Sequence, residues 1–363
     1  MSVLAALRQR LEALVAFDTQ NPHGDEAPMV RHLARELQAL DADRVSTFAV
    51  GRHHAVLAHF GAEPRLLINA HVDTVPANSG YSADPHHLVE REGRLYGLGS
   101  ADTKGAIAAI LEALAARRTR PQPKAVAVLF SGDEERSSSV AGHFIGDGGL
   151  KGYERVIVCE PTGCRVGHRH RGIGTFVATT TSAGGHSSRA DVLEKPIVVL
   201  AKVAVALDGV GQRWLGQGPP GFLGLCLNVA AIDGGVAFNV VPTQATLKAS
   251  FRPGPGIENR VVLAQLEAAA RAAAGSAPLD WQTHHDKPAF ATRDLRAFAG
   301  ELGTRVETPV DLAFWTEAAL FSAAGLNAVV FGPGHIEQAH AGDEYIETTQ
   351  LETAYQVFLE AFS

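Results

Sequence analysis

Cysteine is scarce in this chain: Cys159, Cys164 and Cys226 among 363 residues, an odd number with no CxxC pair. That leaves no disulfide framework and suits a reducing compartment. An excess of basic residues is also missing. Lys and Arg total 32 against 39 Asp and Glu, for a net charge of −7 and a pI near 6.1. This balance argues against a phosphate-backbone partner, so no nucleic-acid binding is expected. The stretch Ser2 to Phe17 spaces Leu4, Leu7, Leu11, Leu14 and Val15 as a helix does, but Arg8, Arg10 and Glu12 interrupt it. It reads as an amphipathic helix, neither signal peptide nor membrane anchor. No membrane partner and a cytoplasmic location follow as expectations. Repeats and low-complexity segments are absent, and no window is polar and charged enough to suggest disorder.

What remains is apolar enough, at 46%, for substantial cores. The length favours two domains. Helical and strand patterns alternate through the first half: Met29 to Leu40 helical, Ala55–Phe60 and Arg65–Ala70 extended, Thr103 to Ala116 helical, Ala125–Phe130 and Arg155–Cys159 extended. Such alternation predicts an α/β fold, a sheet with helices on both faces and ligands gathered at the carboxyl ends of the strands. The texture changes near Arg171. Gly172 to Thr181, Cys226–Ile232 and Ala245–Phe251 read as strands, and Pro196 to Leu207 and Val261–Ala274 as helices. Gly216 to Gly221 reads as a flexible loop. Two strand-helix-strand halves predict a small α+β domain over 171–285, inserted between the 1–170 and 286–363 parts of a larger one. Phe314–Ala324 and Thr349–Ala361 are expected as helices, with Ala328–Phe331 a strand.

Five hydrophobic stretches end in metal-type ligands: His71-Val72-Asp73, Gly99-Ser100-Ala101-Asp102, Asp133-Glu134-Glu135, Glu160-Pro161 and Gln338-Ala339-His340. Each has an ordinary reading when taken alone. His71 and Asp73 could be a strand-end histidine and a turn aspartate, and Asp102 could cap the helix that follows. The Asp133–Glu135 run could be a solvated acidic loop, and His340 could belong to a turn. A phosphate loop is excluded around Gly97–Gly105, because no GK[ST] follows and Asp102 would repel phosphate. Taken together, the five ends supply the His/Asp/Glu set that a buried divalent metal needs, including a carboxylate able to bridge two cations. Sixteen histidines are many for this length, but His53-His54, His86-His87 and His284-His285 lack ligand spacing and read as surface loops.

In this order the motifs resemble the zinc aminoacylase/carboxypeptidase (M20-type) metallohydrolase family, which includes acetylornithine deacetylase and succinyl-diaminopimelate desuccinylase. The likeness runs from Leu67 past His340 and extends to Gly172–Ser188, Asn239–Pro242, Arg252 and Gly332-Pro333-Gly334. Asp311 to Leu351, with Phe314-Trp315-Thr316-Glu317-Ala318, looks most like the acetylornithine and acetylcitrulline deacetylases. The resemblance implies a catalytic domain with a mixed sheet and an inserted dimerisation or lid domain. It implies one metal held by His71, Asp102 and Glu160, and a second held by Asp102, Glu135 and His340. Zinc would be expected, two per subunit, with cobalt or manganese able to substitute. Glu134 would be the general base, Asp73 would orient His71, and His186 in Gly184-Gly185-His186-Ser187-Ser188 would donate to the oxyanion, reaching across a homodimer. Arg252 would grip a substrate carboxylate. Asn239, Glu317 and the N–H groups of Gly332 and Gly334 are further candidate contacts.

Three positions depart from the family pattern: Thr103 where many relatives have methionine, Cys159 where glycine is common, and the spacing of Ala183 to His186. None removes a ligand or the base. The expected reaction is amide hydrolysis of N-acetylcitrulline or N-acetylornithine, releasing acetate in arginine biosynthesis. A dipeptide or succinyl-diaminopimelate is the alternative substrate. A non-catalytic dimeric binding relative is the remaining alternative, and one expected to have lost ligands or the base.

Overall fold

The computed structural model describes Ser2–Ser363. The chain divides into two compact units. The first comprises the residues up to His168 with Thr292–Leu312 and Thr316–Ser363; the second is Arg169–Ala291 with Ala313–Trp315.

The first unit is built on a mixed sheet. Six of its strands lie side by side in the order Arg44–Val50, His53–Phe60, Val126–Ser131, Leu66–His71, Arg155–Val158 and Asn327–Val330. The last four run parallel to one another, and the first two form an antiparallel hairpin that joins them. Leu66–His71 and Val126–Ser131 are buried at every residue, so both faces of the sheet are covered, as parallel strands require. On one face Val56, Ile68, Phe130 and Ile157 share a core with residues of helices Val3–Val15, Ala27–Ala39, Gly105–Arg117 and Thr348–Ala361. Helices Ser139–Gly146 and Ala318–Ala323 also pack on the sheet. Because the four central strands are parallel, their carboxyl ends fall on one edge. Val72-Asp73, Gly132–Glu135, Cys159-Glu160 and Phe331–Gly334 all leave from that edge.

The second unit is α+β. Its strands lie in the order Asn228–Gly234, Gln244–Phe251, Ile173–Thr181, Leu279–Lys287, every neighbour antiparallel. Residues alternate along Ile173–Thr181 between buried and half-buried, the mark of a sheet covered on one face. There Phe176, Leu247 and Phe251 meet Leu200, Val203 and Leu207 of helix Pro196–Trp214 and Val262 and Leu266 of helix Asn259–Ala274. Among the described residues, no helix is long and apolar enough to cross a membrane.

Several expectations are corrected. The helix expected from Thr103 begins at Gly105, because Asp102 (φ −126°, ψ 87°) and Thr103 (φ −130°, ψ 23°) leave helical backbone; Asp102 therefore does not cap it. The helix expected over Phe314–Ala324 is only Ala318–Ala323, where the Thr316 hydroxyl accepts from the Ala318 N–H at 3.3 Å. His53-His54 and His284-His285 lie in strands rather than loops. Arg44–Val50 and Leu279–Lys287 are strands that the sequence reading did not assign.

Candidate metal centre

His71, the last residue of its strand, is 2% exposed. Its Nδ1 lies 2.9 Å from the backbone carbonyl of Asp73. A carbonyl can only accept, so Nδ1 carries the proton and Nε2 points at Asp102 Oδ1, 2.9 Å away. Burial pulls the His71 pKa down, yet hydrogen bonds to Asp102 and Asp73 and the charges of Asp102 and Glu160 lift it well above the usual imidazole range. Asp73 is fully buried, and its carboxylate does more than face the ring. It accepts from the backbone N–H of Glu134 at 3.1 Å and of Glu135 at 3.2 Å, while the ring Nδ1 is 3.6 Å from Oδ1.

Asp102 is held by its backbone as well. Its N–H and that of Ala101 donate to Glu344 Oε1 at 3.0 and 2.9 Å, and Gly99 donates to Glu344 Oε2 at 2.9 Å. The Thr103 hydroxyl donates to the His71 carbonyl at 3.0 Å, joining the two ligand-bearing segments. His340 arrives from the far end of the chain with φ 60°. Its Nε2 lies 3.1 Å from Glu135 Oε2 and 3.5 Å from Asp102 Oδ2. The Glu135 hydrogen bond is the main reason its pKa rises to about 9; burial opposes the rise, and the charges of Glu135 and Asp102 add to it.

Donor atoms of His71, Asp102 and Glu135 all lie within 4.8 Å of one another, as do those of His71, Glu134 and Glu160. His340 joins the cluster through its ion pairs. The two triads cut across the grouping that the resemblance implies: Glu134, there the base, stands among the donors of one, and His340, there a ligand, belongs to neither. Burial drives the Glu160 pKa well up, and repulsion from Asp102, Glu134 and Glu135 adds to it. Burial and Asp102 raise Glu135. The buried Glu160 Oε1 has no hydrogen-bond partner. A buried oxygen without a partner, beside carboxylates that repel one another, is what divalent cations would satisfy. The donor set is imidazole and carboxylate with no thiolate, which fits zinc, cobalt or manganese.

The chain matches the model of "Peptidase family M20/M25/M40" over residues 67–363. The chain belongs to this family. It is 32% identical over 366 residues to an N-acetyl-L-citrulline deacetylase of Xanthomonas campestris pv. campestris, covering 96% of this chain and 95% of that protein. It is 30% identical to an acetylornithine deacetylase of Vibrio parahaemolyticus, over 86% of this chain and 84% of the relative. A solved Bacillus subtilis structure, described as a dinuclear metal-binding peptidase of the M20 family, superposes with a TM-score of 0.73 at 16% identity, covering 99% of this chain and 97% of that one. The M20 chain described here is accordingly a hydrolase with a metallohydrolase fold.

The remaining candidates divide between the units. In the first, Glu317 is buried at the start of its short helix. Gly332 and Gly334 already spend their N–H groups within the protein, on the Thr162 hydroxyl at 3.1 Å and on Gln350 Oε1 at 2.7 Å. A substrate carboxylate, expected at those N–H groups, would have to share them with these protein acceptors. The glycines also allow close packing, since a Cβ at Gly332 would meet the Glu160 carbonyl oxygen at 2.6 Å. In the second unit, Arg252 and Asn239 are exposed. His186 is exposed and pairs with Val240 in a two-strand ribbon. The Ser188 N–H donates to its Nδ1 at 3.1 Å, which places the proton of the neutral ring on Nε2.

Sequence reasoning named Asp133 in an acidic run but missed its bracing role behind the ligands. Asp133 is buried, and hydrogen bonds from Ser137, Ser139 and Asn21 outweigh its burial and hold its pKa below the usual value. Glu344 and Asn21 were passed over because their partners are distant in sequence, and no spacing rule marks them.

Proposed function

We propose that the enzyme hydrolyses the amide of an N-acetyl amino acid, N-acetylcitrulline or N-acetylornithine, releasing acetate and the free amine in arginine biosynthesis. The observation that carries the reading is the gathering of His71, Asp102, Glu134, Glu135, Glu160 and His340 into one cluster, in a chain 32% identical to an N-acetyl-L-citrulline deacetylase. His71, Asp102 and Glu160 would hold one cation, and Asp102, Glu135 and His340 the other, with zinc the best match to the donors. When bound, the cations supply positive charge that acidifies water and polarises an amide carbonyl.

The protein's own groups do the rest. Glu134 takes a proton from the attacking water and returns it to the departing amine. Its backbone is pinned to Asp73, so the carboxylate starts from a fixed place. His186, with its proton on Nε2, is the donor for the oxyanion. The guanidinium of Arg252 takes the substrate α-carboxylate in a two-point grip, with Asn239 and Glu317 as further polar contacts.

The second unit is proposed to dimerise, His186 serving the partner's site. Support comes from Ile197, Val198 and Val205, exposed on helix Pro196–Trp214, and from Asn228–Gly234, an edge strand with one sheet neighbour. An unpaired edge beside exposed apolar residues invites a second chain. A cytoplasmic enzyme is the corresponding location.

The test is kcat/KM of the zinc-loaded protein on N-acetylcitrulline and N-acetylornithine side by side, with a chelated control. A chelator-sensitive preference for either supports the reading. No turnover of either, with turnover of a dipeptide or succinyl-diaminopimelate, keeps the hydrolase and overturns the substrate.

A further inference from the structure

A run of buried polar side chains lies behind the metal cluster, and at its centre one amide joins two carboxylates. Asn21 Nδ2 donates to Asp73 Oδ2 and to Asp133 Oδ1, both at 3.0 Å. Asn21 is 5% exposed, Asp133 3% and Asp73 0%. An amide nitrogen carries two hydrogens, and here both are used. The backbone of Asn21 is fixed too: its N–H donates to the Thr74 carbonyl at 2.8 Å, and Thr74 N–H donates to the Thr19 carbonyl at 3.1 Å.

The two carboxylates that Asn21 joins hold opposite ends of one short loop. Asp73 accepts the N–H groups of Glu134 and Glu135. Asp133 opens the same loop, with its side chain accepting from Ser139 N–H at 3.1 Å and its backbone in the left-handed region at φ 66°. Beneath it, His53 Nε2 lies 3.4 Å from Asp133 Oδ1 and His53 Nδ1 lies 2.7 Å from Glu26 Oε1. Glu26 also accepts the His54 N–H at 2.8 Å. The strand end passes so close over Glu26 that a Cβ at Gly132 would meet its Oε2 at 1.8 Å. The loop bearing Glu134 and Glu135 is therefore braced from below and from the side, and Asn21 is the member that ties the two braces together.

We propose that Asn21 is a positioning residue that locks the loop bearing Glu134 and Glu135 to the carboxylate of Asp73. The proposal rests on the reading of Glu134 as the base. Asn21 touches no substrate; it acts by keeping Asp73 and Asp133 side by side, two like charges that would otherwise move the loop apart. The isosteric change Asn21→Asp preserves shape and removes this two-hydrogen tie.

Asn21→Asp and Asn21→Ala would be compared with the parent enzyme in kcat, KM, thermal midpoint, and the visible absorption of the metal-free protein titrated with Co2+. A displacement near 1 Å at reacting groups costs about a hundredfold in rate. We expect kcat to fall by about that factor in both variants, with KM changed by less than about threefold, and the Co2+ band to shift because Glu135 moves with the loop. A folded variant with parental kcat and an unshifted band overturns the proposal, and so does a lowered thermal midpoint with kcat intact. Should Asn21→Asp fail to fold, Asn21→Ala carries the same readings. Glu134→Ala is measured in parallel. If it keeps turnover, the reading of Glu134 as base falls and the Asn21 role with it; if it is inactive while the Asn21 variants turn over normally, only the Asn21 role falls.

Discussion

The two units spend their polar and apolar residues in opposite ways. In the first, most chemistry-bearing side chains are buried and cross-braced: His71, Asp73, Asp102, Asp133 and Glu160 are all at or below 6% exposure, while Glu134 and Glu135 are half-buried and His340 is exposed. In the second, His186, Asn239 and Arg252 stand exposed, and the His186 ring is held by its neighbour Ser188. Apolar residues show the reverse. Among the described residues, every exposed large hydrophobic except Val3 lies between Val192 and Val261, inside the second unit, with Val236 at 90% and Phe238 at 108%. The difference teaches what each unit lacks. The first holds charge that its own burial penalises, which bound cations would offset; the second shows apolar surface that its own core does not cover, which the proposed dimer would cover.

The largest effect should come from Glu134→Ala. A positioned base is worth about a hundredfold to ten-thousandfold, so kcat should fall within that range while elemental analysis still finds two metals per chain. Loss of both metals would turn Glu134 from base to ligand and break the division between the braced cluster and its proton carrier. Next is His186→Ala, expected to cost about a hundredfold to a thousandfold, as removal of an oxyanion donor does. Mixing it with Glu134→Ala should restore partial activity, since a heterodimer would pair an intact cluster with an intact histidine. Verified heterodimers without recovery would rule out the crossed arrangement. Smallest is Val205→Asp, on the exposed face of helix Pro196–Trp214. Light scattering should show the assembly dissociating while the metal content of each chain is unchanged. A variant that stays assembled moves the proposed interface elsewhere.

How far these contrasts were legible beforehand varied with the kind of signal. The central strands announced themselves, because strands buried on both faces read as near-continuous apolar runs, as Val126–Phe130 does and as Leu66–Ala70 does apart from Asn69, whose amide donates to Ser131 Oγ at 3.0 Å. Arg44–Val50 and Leu279–Lys287, each at a sheet edge, did not. Leu279–Lys287 reads Leu-Asp-Trp-Gln-Thr-His-His-Asp-Lys, its alternation confined to the first four residues and the rest polar, as an edge strand bonded to a single neighbour can be. Phe314–Ala324 carries a helical pattern, yet only Ala318–Ala323 coils, since the residues before it are committed to other packing. His71, Glu134, Glu135 and Glu160 were legible because they sit at or just past strand ends; Asp102 and His340 do not, and were named from the order of the motifs. Asn21 and Glu344 were not legible, for their partners lie 52 and 245 residues away.

By itself the sequence determined the fold class, the set of metal-type donors and the family, because strand runs, helix periodicity and ligand identity are local or ordered properties of a chain. Only the tertiary structure decided how those donors are held. It made Asp73 the acceptor for the Glu134 and Glu135 N–H groups, aimed the Glu344 carboxylate at three backbone donors around Asp102, and used the N–H groups of Gly332 and Gly334 internally. Hydrogen bonds are made across space at about 3 Å and depend on direction, so no reading along the chain could have assigned them.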